Sequence, residues 1–121
     1  MKTVLIVEDT EDYAENLRFI LSQAGYSVVV ALDGKEGLEK AIRIKPDLIL
    51  MDLLMPEQDG VETTIKIKEE ESLKDVPVIF LTSVTAGENV VTSVNNRDFV
   101  TISKMIDQEK LLNRLREYLG N

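Results

Sequence analysis

Short apolar runs recur along this chain at TVLIV (3–7), YSVVVAL (26–32), DLILMDL (47–53), VIFLT (78–82) and FVTIS (99–103). Each is strand-length, most are rich in β-branched residues, and such runs read as strands buried on both faces of a sheet. The stretches between them carry helical periodicity. Tyr13, Leu17, Ile20, Leu21 and Ala24 share one face, closed by Gly25. Asp33-Gly34-Lys35-Glu36 spells a capping box ahead of Leu38, Ala41 and Ile42, and Pro46 stops that helix. After a turn at Asp59-Gly60, helices are predicted over about 61–71, 88–95 and 107–119, the last with a stripe of Leu111, Leu112, Leu115, Tyr118 and Leu119. The 88–95 helix is the weakest, because Val90, Val91, Thr92 and Val94 are poor helix formers. Five alternations with short connections imply an α/β domain around a mostly parallel sheet. With 121 residues and no repeat, linker or low-complexity segment, residues 1–121 are expected to form one domain.

Two absences narrow the chemistry. Without cysteine there are no disulfides, thiol nucleophiles or thiolate metal sites, and without histidine no Ser-His-Asp triad and no imidazole ligand. Carboxylates, hydroxyls, lysine and arginine remain. Twenty-two acidic against fourteen basic residues give a net charge of -8, which repels nucleic acid and anionic membrane and favours a protein partner or a cation. No apolar run reaches the roughly eighteen residues of a membrane helix, and MKTVLIVED turns acidic too soon for a secretory signal. A cytoplasmic location is the expectation.

One residue violates the apolar rule. Asp52 is the single polar side chain in LILMDLLM (48–55), and taking a carboxylate out of water costs several kcal/mol. Glu8 and Asp9 follow the first run, Thr82 ends the fourth and Lys104 follows the fifth. In open parallel sheets, ligands bind outside the carboxyl ends of the strands, where all five residues fall. Taken singly each has an ordinary explanation: a helix N-terminal acid, a backbone-bonded aspartate, a β-branched strand residue, a solvated lysine. One site accounts for the set. Carboxylates about 4 Å apart repel by roughly 4 kcal/mol at an effective dielectric near 20, so the cluster must take up protons or recruit a cation. With oxygen ligands alone a hard ion such as Mg²⁺ is preferred, and a metal, a carboxylate, a hydroxyl and a lysine together suit phosphoryl transfer.

VLIVEDTEDYAENL, PDLILMDLLMPEQDG, PVIFLTS and the placement of Lys104 resemble the receiver domain of bacterial two-component response regulators. The resemblance runs from Thr3 to Leu119. It implies a doubly wound, flavodoxin-like five-stranded parallel sheet of order 2-1-3-4-5 with five helices. It also implies roles. Asp52 matches the aspartate phosphorylated by a sensor histidine kinase or phosphotransfer protein. Asp9, Asp52 and the Leu54 carbonyl match Mg²⁺ ligands, with Glu8 reaching the metal through water. Thr82 and Lys104 match the groups that bind the phosphoryl oxygens, and the backbone N–H groups of Leu54 and Ser83 complete the cradle. The module would catalyse only its own phosphorylation and dephosphorylation, and would signal to an effector protein through the fourth helix, fifth strand and fifth helix. It would act as a monomer or a phosphorylation-linked dimer, without binding nucleic acid or membrane. If the chain is complete, output must come from a partner; if it is a fragment, an effector domain lies elsewhere.

The departures from the family pattern fall late in the chain. Lys104 is followed by Met105 where the family has proline, and the aromatic expected at Thr101 stands instead at Phe99, one side-chain layer further back. Leu54 and Val84 are apolar where attacking water would pass, which predicts slow loss of the phosphoryl group. The alternatives are a receiver-like binding module with an idle pocket, or an aspartate phosphatase or flavin protein. Leu54 in place of a second acid opposes the phosphatase, and the acidic VEDTED opposes a flavin phosphate loop.

Overall fold

The computed structural model describes residues 1–53, 55, 59–83, 90–94 (as backbone) and 97–120. In chain order the elements are β1 (Thr3–Val7), α1 (Glu11–Gln23), β2 (Ser27–Ala31), α2 (Gly34–Ile44), β3 (Leu48–Asp52) and α3 (Gly60–Glu69). A short 3-10 turn (Glu71–Leu73) follows, then β4 (Val78–Thr82), β5 (Val90–Val94), β6 (Arg97–Ser103) and α4 (Gln108–Leu119). The strands lie in the order β2-β1-β3-β4-β6-β5. The first five of these run parallel and reproduce the 2-1-3-4-5 order, with β6 in fifth place.

Local chemistry sets the helix ends. Asp33 Oδ1 accepts the Glu36 N–H at 2.8 Å, while Glu36 Oε1 accepts the Leu32 N–H at 2.9 Å, so the capping box closes one residue before its usual return partner. At the end of α1, Gly25 takes a φ of 99°; its N–H meets Ser22 O and the Tyr26 N–H meets Leu21 O, a Schellman closure. Asp59 caps α3 by accepting the Glu62 N–H at 2.8 Å.

The sheet separates two apolar layers. Val4, Ile6, Leu48, Leu50, Leu81 and Ile102 pack with α1 and α4 on one side. Leu5, Val7, Ile49, Met51, Phe80 and Phe99 pack on the other, with Ala41 of α2 and Ile67 of α3. Gly37 lets α2 sit close, since a Cβ there would lie 2.8 Å from a Val7 methyl carbon. Tyr118, which the spacing places on the buried stripe of α4, is 43% exposed, and the apolar Ile42 of α2 is 40% exposed. Among the described residues no helix is long and apolar enough to cross a membrane.

The helix expected over 88–95 is not present at Val90–Val94. That segment is β5, an antiparallel edge strand pairing Val90 with Thr101 and Val94 with Arg97. Its β-branched composition prevails over an apolar spacing that would also suit a helix. Among the described residues there are therefore four α-helices, and the edge beyond β6 is a strand. Residues 88, 89 and 95 of the expected helix lie outside the described residues.

Candidate functional site

β1, β3, β4 and β6 end at one edge of the sheet, at Val7, Asp52, Thr82 and Ser103. Side-chain alternation aims what lies there. Ile6, Leu50 and Ile102 point into the layer beneath α1 and α4, so Glu8, Asp52 and Lys104, two residues further on, turn to the same side.

The acids meet. Glu8, Asp9 and Asp52 each present a carboxylate oxygen, and these oxygens lie within 4.8 Å of one another. Glu8 is fully buried, Asp52 is 4% exposed and Asp9 faces solvent. Lys104 supplies a counter-charge: its Nζ is 2.6 Å from Glu8 Oε1 and 3.4 Å from Asp52 Oδ1. Glu8 Oε2 accepts the Thr10 N–H at 2.9 Å. Among the described residues Oε1 has no aligned hydrogen bond, so the nearby ammonium is its compensation.

Tyr13, on the first turns of α1, completes the surround. The Lys104 ammonium stands 4.9 Å from its ring centroid, within cation–π range. Burial is the largest influence on Lys104 and pulls its pKa down, but the close contact with the Glu8 carboxylate and the charges of Asp52 and Glu8 together raise it above the ordinary lysine value. The ammonium is therefore charged at neutral pH. The Tyr13 phenol is pushed up to about 12, first by burial and then by Glu8 and Asp52.

Among the described residues, three carboxylates meet one ammonium here, so negative charge is in excess. The donors are all oxygen, they converge within one coordination sphere, and one buried oxygen lacks an aligned donor. These residues fit a hard divalent cation.

Backbone contacts fix the frame. The Lys104 N–H donates to Thr82 O at 2.8 Å, and the Gly60 N–H donates to Leu53 O at 3.0 Å. A Cβ on Gly60 would lie 2.2 Å from the Asp52 carbonyl oxygen, so α3 begins directly against the end of β3. Among the described residues no peptide bond is cis, and Lys104–Met105 is trans.

Four of the expected site residues thus gather at one edge through their side chains, Glu8, Asp9, Asp52 and Lys104, and Thr82 joins them through its carbonyl, its side chain partly buried. Ser83 follows it and is exposed. Leu54 and Val84 lie outside the described residues. Phe99 packs against Phe80, ring centroids 5.4 Å apart, while Thr101 stands opposite Phe80 in register. Two contributors escaped the sequence reading. From spacing alone Tyr13 reads as part of a buried face, and Ser103, whose Oγ accepts the Met105 N–H at 3.0 Å, as part of a strand. A serine two residues before a backbone donor is a turn signal that was available.

Comparison with known proteins bears on the family and the fold. The chain is 32% identical over 120 residues to the polar-differentiation response regulator DivK of Brucella anthropi, covering 99% of this chain and 98% of that protein. It is 30% identical to RpaA of Synechocystis, a DNA-binding dual master transcriptional regulator, over 98% of this chain but only 49% of that protein's length. Among solved structures, the Vibrio cholerae chemotaxis protein CheY4 superposes with a TM-score of 0.84 at 28% identity, covering 98% of each chain. The receiver domain of the Pseudomonas aeruginosa sensor histidine kinase PA1611, solved with a magnesium ion coordinated in its active-site cleft, gives 0.82 at 26% identity, over 99% of this chain and 98% of that one. Receiver domains are signalling modules of two-component systems, and their acidic pocket corresponds here to Glu8, Asp9 and Asp52. The response regulator receiver domain family matches residues 4–116, and the chain belongs to that family.

Proposed function

We propose that Asp52 is the phosphoryl acceptor of this receiver domain. A carboxylate oxygen of Asp52 attacks phosphorus in a phosphohistidine of a sensor kinase or phosphotransfer protein. The P–N bond breaks, the imidazole leaves with the electron pair and takes a proton, and an acyl phosphate remains. Asp9, Asp52 and the Leu54 carbonyl would hold Mg²⁺, with Glu8 joined through water. When bound, the cation supplies positive charge for the phosphoryl oxygens. Lys104 stays protonated at neutral pH and, released from Glu8 or shared with it, pairs with the incoming phosphoryl charge. Thr82 offers a hydroxyl, and the N–H groups of Leu54 and Ser83 offer further donors.

The observation that carries this reading is the convergence of three carboxylates within 4.8 Å, with Lys104 drawn to two of them. Phosphorylation adds roughly two negative charges, which favours whichever conformer brings Thr82 and Lys104 to the new oxygens. The edge beyond β4 is then the output surface. With β5 in the place expected for a helix, that surface comprises β5, β6 and α4. Its reader is an effector protein, not nucleic acid or membrane. Residues 1–121 act as one domain, in the cytoplasm, as a monomer or a phosphorylation-linked dimer, and the only chemistry is self-modification.

The test is incubation with acetyl phosphate and Mg²⁺, followed by intact-mass measurement. One acid-stable, base-labile phosphoryl group should appear, and should be absent from Asp52→Asn and after chelation. An unmodified wild-type chain points to a binding module with an idle pocket; rapid release of free phosphate points to a phosphatase.

A further inference from the structure

Ser103 closes β6 with its side chain 8% exposed and, by alternation, directed to the opposite side of the sheet from Lys104. Two bonds from this one residue span Lys104. Ser103 Oγ accepts the Met105 N–H at 3.0 Å, and Ser103 O accepts the Ile106 N–H at 3.1 Å. The result is a side-chain turn laid over a backbone turn, with Lys104 at its first central position. From the other flank, the Lys104 N–H is held by Thr82 O at 2.8 Å. At Met105 packing adds little, because that residue is 78% exposed, while Ile106 at the far end of the turn packs against the core.

The lysine ammonium sits at the end of a flexible four-carbon stem, so an angular error at its Cα grows before it reaches Nζ. In this protein Nζ must fall between Glu8 and Asp52 and over Tyr13 at once. The hydroxyl is the side-chain part of the restraint, and it works because Met105, unlike a proline, carries an N–H to be held.

We propose that Ser103 is a positioning residue for Lys104: its hydroxyl, through the Met105 N–H, sets the turn that aims the ammonium at Asp52. This rests on the reading of Asp52 as the phosphoryl acceptor.

The test uses the full chain as Ser103→Ala, Ser103→Thr and Ser103→Val; the last two match in shape and differ in the hydroxyl. One readout is the rate of phosphorylation by acetyl phosphate with Mg²⁺. The other needs no phosphoryl donor: the ring-current shift that Tyr13 imposes on the Lys104 ε-protons in NMR spectra. Loss of the bond should slow phosphorylation up to about tenfold and collapse the ring-current shift in Ser103→Ala and Ser103→Val, with Ser103→Thr restoring both. In a Lys104→Ala background, Ser103→Ala should add no further loss of rate. If Ser103→Ala does not fold, the Thr and Val pair decides. A ring-current shift that survives in Ser103→Val overturns the proposal whatever the rates, and so does a full additional rate loss in the Lys104→Ala background. If the wild-type chain takes up no phosphoryl group while the shift still follows the hydroxyl, the acceptor reading fails and the positioning role stands.

Discussion

Lys104 Nζ lies 2.6 Å from Glu8 Oε1, and Glu8 has no exposed surface. A fully buried carboxylate is tolerable there because a charged partner stands against it. Removing one member of a buried pair commonly costs about 3–5 kcal/mol, since the other is left uncompensated. Lys104→Met, which keeps the stem and deletes the charge, should lower the unfolding free energy measured in urea by an amount of that order, with a lower midpoint. Adding Glu8→Gln should recover most of the loss. An unchanged midpoint in the single variant would show that the pair contributes nothing.

Asp52 experiences two neighbouring carboxylates and one ammonium, a net repulsion in the ion-free state. Asp52→Asn should therefore stabilise the chelated protein by about 1 kcal/mol, a fraction of the roughly 4 kcal/mol between unit charges 4 Å apart at an effective dielectric near 20. Mg²⁺ should raise the melting temperature of the wild-type chain more than that of the variant. Equal shifts in calorimetry would place the ion elsewhere.

Thr64 Oγ1 on α3 is buried and, among the described residues, has no hydrogen-bond partner. Replacing such a hydroxyl by a methyl of the same shape relieves its desolvation cost. Thr64→Val should stabilise the fold by about 1 kcal/mol, with no effect on phosphorylation. A loss of stability would mean that the hydroxyl is satisfied in solution.

The Tyr13 phenol should titrate with a midpoint near 12 in the folded chain, against an ordinary value of 10.0. Its folded pKa is raised, so the folded state holds this proton more tightly. The associated stability is complete below the unfolded value of about 10, and is lost as pH rises through the folded value near 12. Lys104, also raised, acts in the same direction above its ordinary 10.5. Tyrosinate absorbance should lose its latest step in Tyr13→Phe, and Glu8→Gln should move that step to lower pH. If Tyr13→Phe removes an earlier step instead, the buried, acid-flanked placement is wrong.

Gly60→Ala tests how closely α3 abuts β3. Alanine is the better helix former by about 1 kcal/mol, so an isolated helix would gain. Here the new Cβ meets the Asp52 carbonyl oxygen at 2.2 Å. Overpacking of this kind typically costs about 1–3 kcal/mol, and it should also slow phosphorylation by shifting the strand end that carries the acceptor. A more stable, fully active variant would contradict the contact.

Much of this was legible in advance because burial on both faces writes a strand as an apolar run. The box at Asp33 and Glu36 and the closure at Gly25 were equally plain, since caps are local. The acids of the site could be found because strand ends are countable. What failed depended on distance through space. Val90, Val91 and Val94 satisfy a helical spacing as well as an edge strand, and their β-branching should have decided the case. Ile42 is apolar and neighbours the buried Ala41 on α2, yet it is 40% exposed, while Gly37 of the same helix meets Val7. Tyr13 meets Lys104 only through the fold, being remote from it in sequence, and the bond from Ser103 Oγ is to the Met105 N–H, two residues on.

The reversed direction of β5 brings its first residue, Val90, back toward the strand end that carries Thr82. A helical crossover would carry the chain to the far rim before the next strand began. Here the strand opens at Val90 opposite Thr101, two residues short of Ser103. Thr82 and Val90 therefore stand at the same rim of the sheet, the one that bears the acids, so β5 begins on the side where the site lies and not across the sheet from it.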